Sequence, residues 1–296
     1  MKDIIIIGGG PAGLTAALYA SRAGADVTII ESGAPGGKLN LTAHIENYPG
    51  IKEMMGPQLA YDMYEQALNF GAQLKMTEVK SIVDEGDYKK VITSKEELEA
   101  RVVIIATGTK ERKMGLHLED EMTGKGISYC AVCDGPLYKN KDVAVLGGGN
   151  SALEEALYLT NVTSKVYLIH RRNEFRGDKK VIEQIENNPK IILKLSLTIE
   201  ELIGDKSLEQ IKLNNGEVIN VSALFPYIGQ IPNTQFLSFT NLCNENGYII
   251  VNNNMDTNVP GLFAAGDVTN QKLKQVVTAT SDGAIAATSV IEYLRG

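Results

Sequence analysis

The chain has 296 residues, 44% hydrophobic and 22% charged, the balance of an ordinary globular protein of roughly two domains. That composition excludes a disordered chain and a collagen-like one. The formal net charge of −7, with no dense basic face in view, argues against nucleic acid or an anionic membrane as a partner, and no apolar run approaches the roughly 18 residues of a membrane helix.

In chain order, Ile4-Ile5-Ile6-Ile7 is a β-branched, wholly apolar run that reads as a strand buried on both faces. It runs straight into glycines, so no signal peptide is expected at this end. Gly8-Gly9-Gly10-Pro11-Ala12-Gly13 comes next, then a helix with Leu14, Ala17, Leu18 and Ala20 inward that stops near Gly24, then a strand from Val27 to Ile30 ending in Glu31. The same βαβ unit recurs as the strand Val143 to Leu146, the turn Gly147-Gly148-Gly149-Asn150-Ser151-Ala152, a helix carrying Leu153, Ala156, Leu157 and Leu159, and a strand from Val166 to Ile169. Gly8 and Glu31 lie 23 positions apart in the sequence, as do Gly147 and His170. Between the two units, 57–70 reads as an amphipathic helix and 75–104 as a small antiparallel sheet closing on Val102 to Ile105. Later, Asn214 to Gly216 reads as a hairpin turn between Ile211 and Val218, Tyr248 to Val251 as a strand, and Gln275 to about Tyr293 as the last helix.

Gly8, Gly10 and Gly13 fit G-x-G-x-x-G. The first glycine permits the tight turn, the second lets backbone approach a pyrophosphate, and the third lets helix and strand pack closely. The unpaired N–H groups of the helix start would hold the pyrophosphate, and Glu31 could accept from a ribose hydroxyl. A glycine motif alone is weak evidence; here strand, turn, helix, strand and acidic end all fall in order. Gly147, Gly149 and Ala152 fit the variant with alanine in third place. Its second strand ends in His170-Arg171-Arg172, with Arg176 beyond and no carboxylate. Guanidinium groups there suit a 2′-phosphate, which a carboxylate would repel. Two nucleotide sites with different strand ends suggest two cofactors, FAD in the acidic site and NADPH in the arginine site.

Cys130-Ala131-Val132-Cys133, followed by Asp134-Gly135, is the third element. Two thiols at this spacing read as a redox pair or a metal site. Zinc would need two further ligands; the remaining cysteine, Cys243, stands elsewhere, and His44, His117 and His170 show no ligand spacing. The redox reading is favoured over an inert buried pair because Asp134 can hold or deliver a proton as thiolate forms. No G-x-S-x-G elbow and no H-E-x-x-H occurs.

Together these residues resemble the low-molecular-weight, bacterial-type thioredoxin reductases, over essentially the whole chain. The resemblance is carried by the first glycine turn, Gly36-Gly37, Glu46-Asn47-Tyr48-Pro49-Gly50, Ala106-Thr107-Gly108, Cys130 to Gly135, Gly147 to Ala152, His170-Arg171-Arg172 with Arg176, and Gly266-Asp267. It implies an α/β fold of two Rossmann-like, three-layer ββα domains, the NADPH domain (113–244, carrying the cysteine pair) inserted into an FAD domain made of 1–112 and 245–296. It implies FAD contacts from Gly8, Gly10, Pro11, Ala12, Gly13, Glu31, Gly37, Lys38, Leu39, Asn47, Ala106, Thr107, Gly108, Gly266, Asp267, Lys274, Gln275 and Val276. NADPH contacts are implied from Gly147, Gly149, Asn150, Ser151, Ala152, His170, Arg171, Arg172 and Arg176. Lys38 stands where the family usually has Gln, Lys274 where it has Arg, and Leu118-Glu119 where it has Gly-Glu.

The resemblance further implies a cytoplasmic homodimer that reduces thioredoxin, with Cys133 nearer the flavin, Cys130 exchanging with thioredoxin and Asp134 as acid–base group. Because the dithiol and the nicotinamide site share one inserted domain, two linkers near 110–116 and 241–246 would form a hinge for rotation between half-reactions. A ferredoxin-fed relative is disfavoured by the intact Gly147–Ala152 turn and its arginines. A reductase of another thioredoxin-like protein, and a nucleotide-binding redox sensor without turnover, are the other readings.

Overall fold

A computed structural model describes residues 1–42 and 44–296, with His44 described by its backbone alone. The chain divides into two compact units, Met1–Lys110 with Ile231–Gly296, and the inserted Glu111–Gln230.

In the first unit, β1 (Lys2–Ile7) leads through the glycine turn into α1 (Pro11–Arg22) and β2 (Val27–Glu31). Ile4, Ile5 and Ile6 have no exposed surface, as expected of a strand covered on both faces. A short ribbon of β3 (His44–Ile45) and β4 (Met54–Met55) precedes α2 (Gly56–Asn69). Then come β5 (Gln73–Met76), β6 (Val79–Asp84), β7 (Lys89–Thr93) and β8 (Glu97–Ile105). The strand order is β5-β2-β1-β8-β7-β6. β8 serves two layers at once: Val102 to Ile105 pair parallel with β1, whereas Glu97 to Ala100 pair antiparallel with β7. The expected antiparallel element is therefore the meander β6–β8, while residues 73–76 join the parallel sheet instead.

The chain crosses into the second unit along β9 (Thr109–Glu111); that unit then holds the short helices α3 (Glu119–Met122) and α4 (Ala131–Asp134), β10 (Asp142–Gly147), α5 (Asn150–Thr160), β11 (Lys165–His170), α6 (Lys179–Glu186) and β12 (Ile191–Leu195). A three-stranded meander, β13 (Ile199–Ile203), β14 (Gln210–Leu213) and β15 (Val218–Asn220), precedes β16 (Ala223–Tyr227). The parallel sheet runs β12-β11-β10-β16. Its helix-side core includes Leu153, Ala156, Leu159 and Phe225, and its meander-side core includes Ile127, Ile211 and Leu224. Both units thus have the helix, parallel sheet and antiparallel meander layers of the expected three-layer fold.

The chain returns through β17 (Gln230–Pro232), which pairs with β9, so the two crossings lie side by side. The return comes at 230/231 rather than at the expected 244/245. Burial explains the difference: Phe236, Leu237, Phe239 and Leu242 pack on the core of the first unit with Val103 and Leu262. The expected strand at Tyr248–Val251 is an extended segment held by isolated bridges from Ile249 to Cys243 and Thr269. Finally β18 (Leu262–Ala264) pairs with β8, and α7 (Val276–Arg295) packs along α1. That packing depends on Gly283, where a Cβ would lie 2.2 Å from the Ala12 carbonyl oxygen.

Candidate active site

The β1–α1 turn of the first unit is shaped by contacts that only glycine permits. Gly8 takes φ +105°, and a Cβ there would meet the Ala106 oxygen at 2.3 Å; at Gly13 a Cβ would meet the Gly8 oxygen at 1.9 Å. Gly10 is different: nothing lies within 4 Å of its Cβ position, and it caps α1 with no side-chain hydrogen bond, Pro11 following at the first helical position. The helix start is therefore an open set of N–H donors facing free space, as a pyrophosphate requires. The Glu31 carboxylate accepts from Gly9 N–H at 2.7 Å and from Gly33 N–H at 2.8 Å, which holds it at the rim of the turn.

Distant segments converge on this turn. Gly36 donates its N–H to the Gly9 oxygen at 2.7 Å, and the Gly37 Cβ position lies 3.3 Å from Gly10 Cα. Lys38 and Leu39 follow in a 3₁₀ turn (Gly37–Leu41), with Leu39 buried against Ile45 and Leu59 beside Val276. Ala106 closes the floor by donating to the Ile7 oxygen, and Thr107 and Gly108 are bound to Asn233 by three hydrogen bonds of 2.8–3.0 Å. Asn47 donates to the Gln275 side chain at 3.1 Å across 228 residues of sequence, and Gln275 is the capping residue of α7.

Gly266-Asp267 sits beneath, with the Gly266 N–H given to buried Asp282 at 3.2 Å. Lys274 donates to the Thr269 oxygen at 2.5 Å and lies over the Tyr248 ring at 4.6 Å. Burial pulls the Lys274 ammonium below its usual range, opposed by Asp267 and Asp282, and burial pushes the Asp282 carboxyl up. Asn233, Tyr248 and Asp282 escape a motif search because each acts by filling or tying backbone; the one available signal was an aspartate inside the apolar face of the last helix.

The second unit repeats the open turn. Gly147 packs against the Tyr227 oxygen, Gly149 has nothing within 4 Å, and α5 starts at Asn150 without a side-chain cap. The Asn150 side chain instead exchanges two hydrogen bonds with Asp178, at 2.7 Å and 3.2 Å, while Arg176 N–H binds the Gly148 oxygen at 2.8 Å. These bonds fold the arginine loop onto the glycine turn. Arg171, Arg172 and Arg176 are exposed, and among the described residues no carboxylate pairs with them. His170 is buried, stacks on Phe175 at 5.7 Å, and its ring fills the space above Gly148, where a Cβ would meet it at 2.4 Å. Burial, helped by the three arginines and opposed by a backbone hydrogen bond at Glu174, lowers its pKa. Ser151 is exposed, whereas Ala152 is buried with the helix-side core.

Cys130 and Cys133 form a disulfide with Cα atoms 5.3 Å apart. Cys130 precedes the single turn of α4, and its sulfur accepts the Cys133 N–H at 3.1 Å. That bond favours negative charge on the Cys130 sulfur. Cys130 is 9% exposed, whereas Cys133 is an exposed residue and Asp134 is half-buried. Accessibility thus runs opposite to the order of roles implied by the resemblance. Just upstream, buried Glu119 accepts from Met114 and Gly115 N–H and from the Tyr129 hydroxyl at 2.5 Å. Leu118, in the place of the usual glycine, takes φ +69°, a region costly for a side chain. Among the described residues no cluster of histidine, cysteine and carboxylates fit for a metal ion occurs; the His44 side chain lies outside them.

Two dinucleotide folds, one of them carrying a redox disulfide, define a disulfide oxidoreductase of the two-nucleotide class. Residues 2–283 match the profile of the pyridine nucleotide-disulphide oxidoreductase family. The chain is 44% identical to a thioredoxin reductase of Ureaplasma parvum over 99% of its own length and 96% of that protein, and 42% identical to one of Listeria innocua over 99% and 93%. It superposes on the crystal structure of Lactococcus lactis thioredoxin reductase in its FR conformation with a TM-score of 0.96 at 39% identity, covering 100% of this chain and 99% of that one. The chain belongs to the pyridine nucleotide-disulphide oxidoreductase family, within it to the low-molecular-weight thioredoxin reductases.

Proposed function

We propose that this chain is a flavoprotein that uses NADPH to reduce thioredoxin through the Cys130–Cys133 disulfide. The observation that carries this reading is a reducible disulfide in the same unit as a glycine turn fronted by three exposed arginines. The residues suit both cofactors: each turn ends in an open glycine cap, and the second turn adds guanidinium groups for a 2′-phosphate. Glu31, Asn47, Ala106 to Gly108, Gly266-Asp267 and the α7 start would hold FAD; Gly147 to Ala152 and the arginines would hold NADPH. When bound, the flavin would accept a hydride from the pyridine nucleotide and supply an electron pair to the disulfide.

The protein's own part begins once the disulfide is open. The exposed Cys133 thiolate attacks the disulfide of oxidised thioredoxin, forming a mixed disulfide and releasing one thioredoxin sulfur as thiolate. Asp134 takes the proton that the Cys133 thiol loses on becoming thiolate and gives it to that leaving sulfur. The Cys130 thiolate, held by the Cys133 N–H, then attacks the Cys133 sulfur, which re-forms the internal disulfide and frees reduced thioredoxin. Exposure of Cys133 favours this order over the one with Cys130 as attacker. The dithiol must meet the flavin in one half-reaction and a protein in the other, and a rotation about the paired strands β9 and β17 would serve both. A homodimer in the reducing cytoplasm completes the proposal.

An anaerobic titration of the yellow protein tests it. NADPH should bleach the flavin and reduce the disulfide as well, so that four electrons are taken up; a colourless protein, or one bleached equally by NADH, would refute the assignment. Replacing Arg171 and Arg172 together by alanine should lower kcat/KM for NADPH on the order of a hundredfold, with NADH nearly unchanged, since two charge-assisted bonds to the 2′-phosphate are lost.

A further inference from the structure

The inserted unit holds one buried carboxylate that the chemistry above leaves unused. Glu119 opens α3 and is 3% exposed. A buried carboxylate is costly unless donors surround it, and here both oxygens have them. Oε1 accepts the Met114 N–H at 2.8 Å and the Tyr129 hydroxyl at 2.5 Å. Oε2 accepts the Gly115 N–H at 2.7 Å and, at the longer distance of 3.4 Å, the Leu116 N–H. The Glu119 N–H in turn closes on the Leu116 oxygen at 3.2 Å. Leu118, directly before it, is held in the left-handed region at φ +69°. Such strain persists where the surroundings over-determine it, and this set of bonds does so.

The donors come from two different segments. Met114 to Leu116 is the chain on its way into the inserted unit, whereas Tyr129 directly precedes Cys130. The Ser128 hydroxyl accepts the Cys130 N–H at 3.1 Å and donates to the Cys130 oxygen at 3.2 Å, so Tyr129 and Cys130 share one closed turn. Met114, Leu116, Leu118 and Tyr129 also pack together on the meander-side core. Upstream the bonding changes partner. The Arg112 N–H goes to the Gly229 oxygen at 2.9 Å, which ties Arg112 to the outgoing crossing, and Gly229 has φ +121°. Lys113 alone lies between Arg112 and Met114, and its ammonium reaches Asp120, beside Glu119, at 2.6 Å.

We propose that Glu119 is a positioning residue that locks the incoming segment Met114–Leu116 to the redox turn through Tyr129, so that rotation of the dithiol pivots at Arg112–Lys113. Everything from Met114 to Cys133 then moves as one body. Without the carboxylate the bend would spread along residues 113–118, and the sulfurs would reach their reaction partners with less definite orientation, which lowers rate more than binding.

The inference rests on the disulfide-reductase reading and deepens it. Two variants of the flavin-loaded full chain test it, Glu119→Gln and Tyr129→Phe. Amide hydrogen exchange is followed by peptide mass, and thioredoxin turnover by steady-state kinetics. In Glu119→Gln the peptide covering residues 112–118 should exchange on the order of ten- to a hundredfold faster, because N–H groups lose a charged acceptor, while peptides of β10 and β11 keep their protection. In Tyr129→Phe that peptide should exchange as in the parent. Both variants should lower kcat about three- to tenfold with KM for NADPH and for thioredoxin unchanged. Unchanged exchange at 112–118 in Glu119→Gln would overturn the proposal, as would faster exchange across the whole inserted unit, the mark of a merely structural role. Parental kcat in Tyr129→Phe would overturn the route through Tyr129. Failure of thioredoxin as acceptor would refute the functional reading instead, and the exchange pattern would still be read.

Discussion

Cys133→Ser should lose thioredoxin reduction by at least about 10³-fold, because a covalent nucleophile is removed outright, while NADPH still bleaches the protein. Cys130→Ser should be as inactive in turnover but different in kind. It keeps the exposed sulfur and lacks the one that resolves the mixed disulfide, so it should accumulate a stable covalent adduct with thioredoxin, visible on a non-reducing gel and released by dithiothreitol. The contrast follows from exposure: Cys130 is 9% exposed and bonded to the Cys133 N–H, whereas Cys133 lies open. If Cys133→Ser formed the adduct and Cys130→Ser did not, the roles would be reversed.

Gly13→Ala should give a protein without flavin. The added methyl would lie 1.9 Å from the Gly8 carbonyl oxygen and 3.3 Å from Ile6. Both neighbours belong to the turn and the strand that feeds it, so relief requires the phosphate-binding backbone to move. A cost on the order of 3 kcal/mol is expected, with absorbance near 450 nm lost from the purified protein and a lower Tm. The equivalent position of the second unit already carries Ala152, whose methyl is buried with the helix-side core. There Gly147 has φ +155°, compared with +105° at Gly8. The two turns share a motif but differ in backbone path, and one has room for a methyl group where the other has none. The reciprocal change, Ala152→Gly, should cost only about 1 kcal/mol, read as a small fall in Tm with flavin content unchanged.

Much of this was legible because it is local. A β-branched run, a glycine turn and a helix are consecutive, so the strands at Ile4 and Val143, the helices after both turns and the hairpin at Asn214–Gly216 could be read from residue order. The spacing of Cys130 and Cys133 likewise places two sulfurs within reach whatever surrounds them. Strand-end chemistry was local as well: a carboxylate ends one βαβ unit and arginines end the other.

What required the tertiary structure was everything that depends on residues far apart in the chain. No pattern announces that Asn47 meets Gln275, that Asn233 ties down Thr107 and Gly108, or that Asp282 holds Gly266. The second boundary falls at 230/231 rather than 244/245 because Phe236, Leu237 and Phe239 bury against a distant strand, and burial has no sequence period in an irregular segment. The exposure of Cys133 and the burial of Cys130 have the same origin. Covalent spacing determines which groups can react; the solvation of each group is decided by what the rest of the chain packs over it.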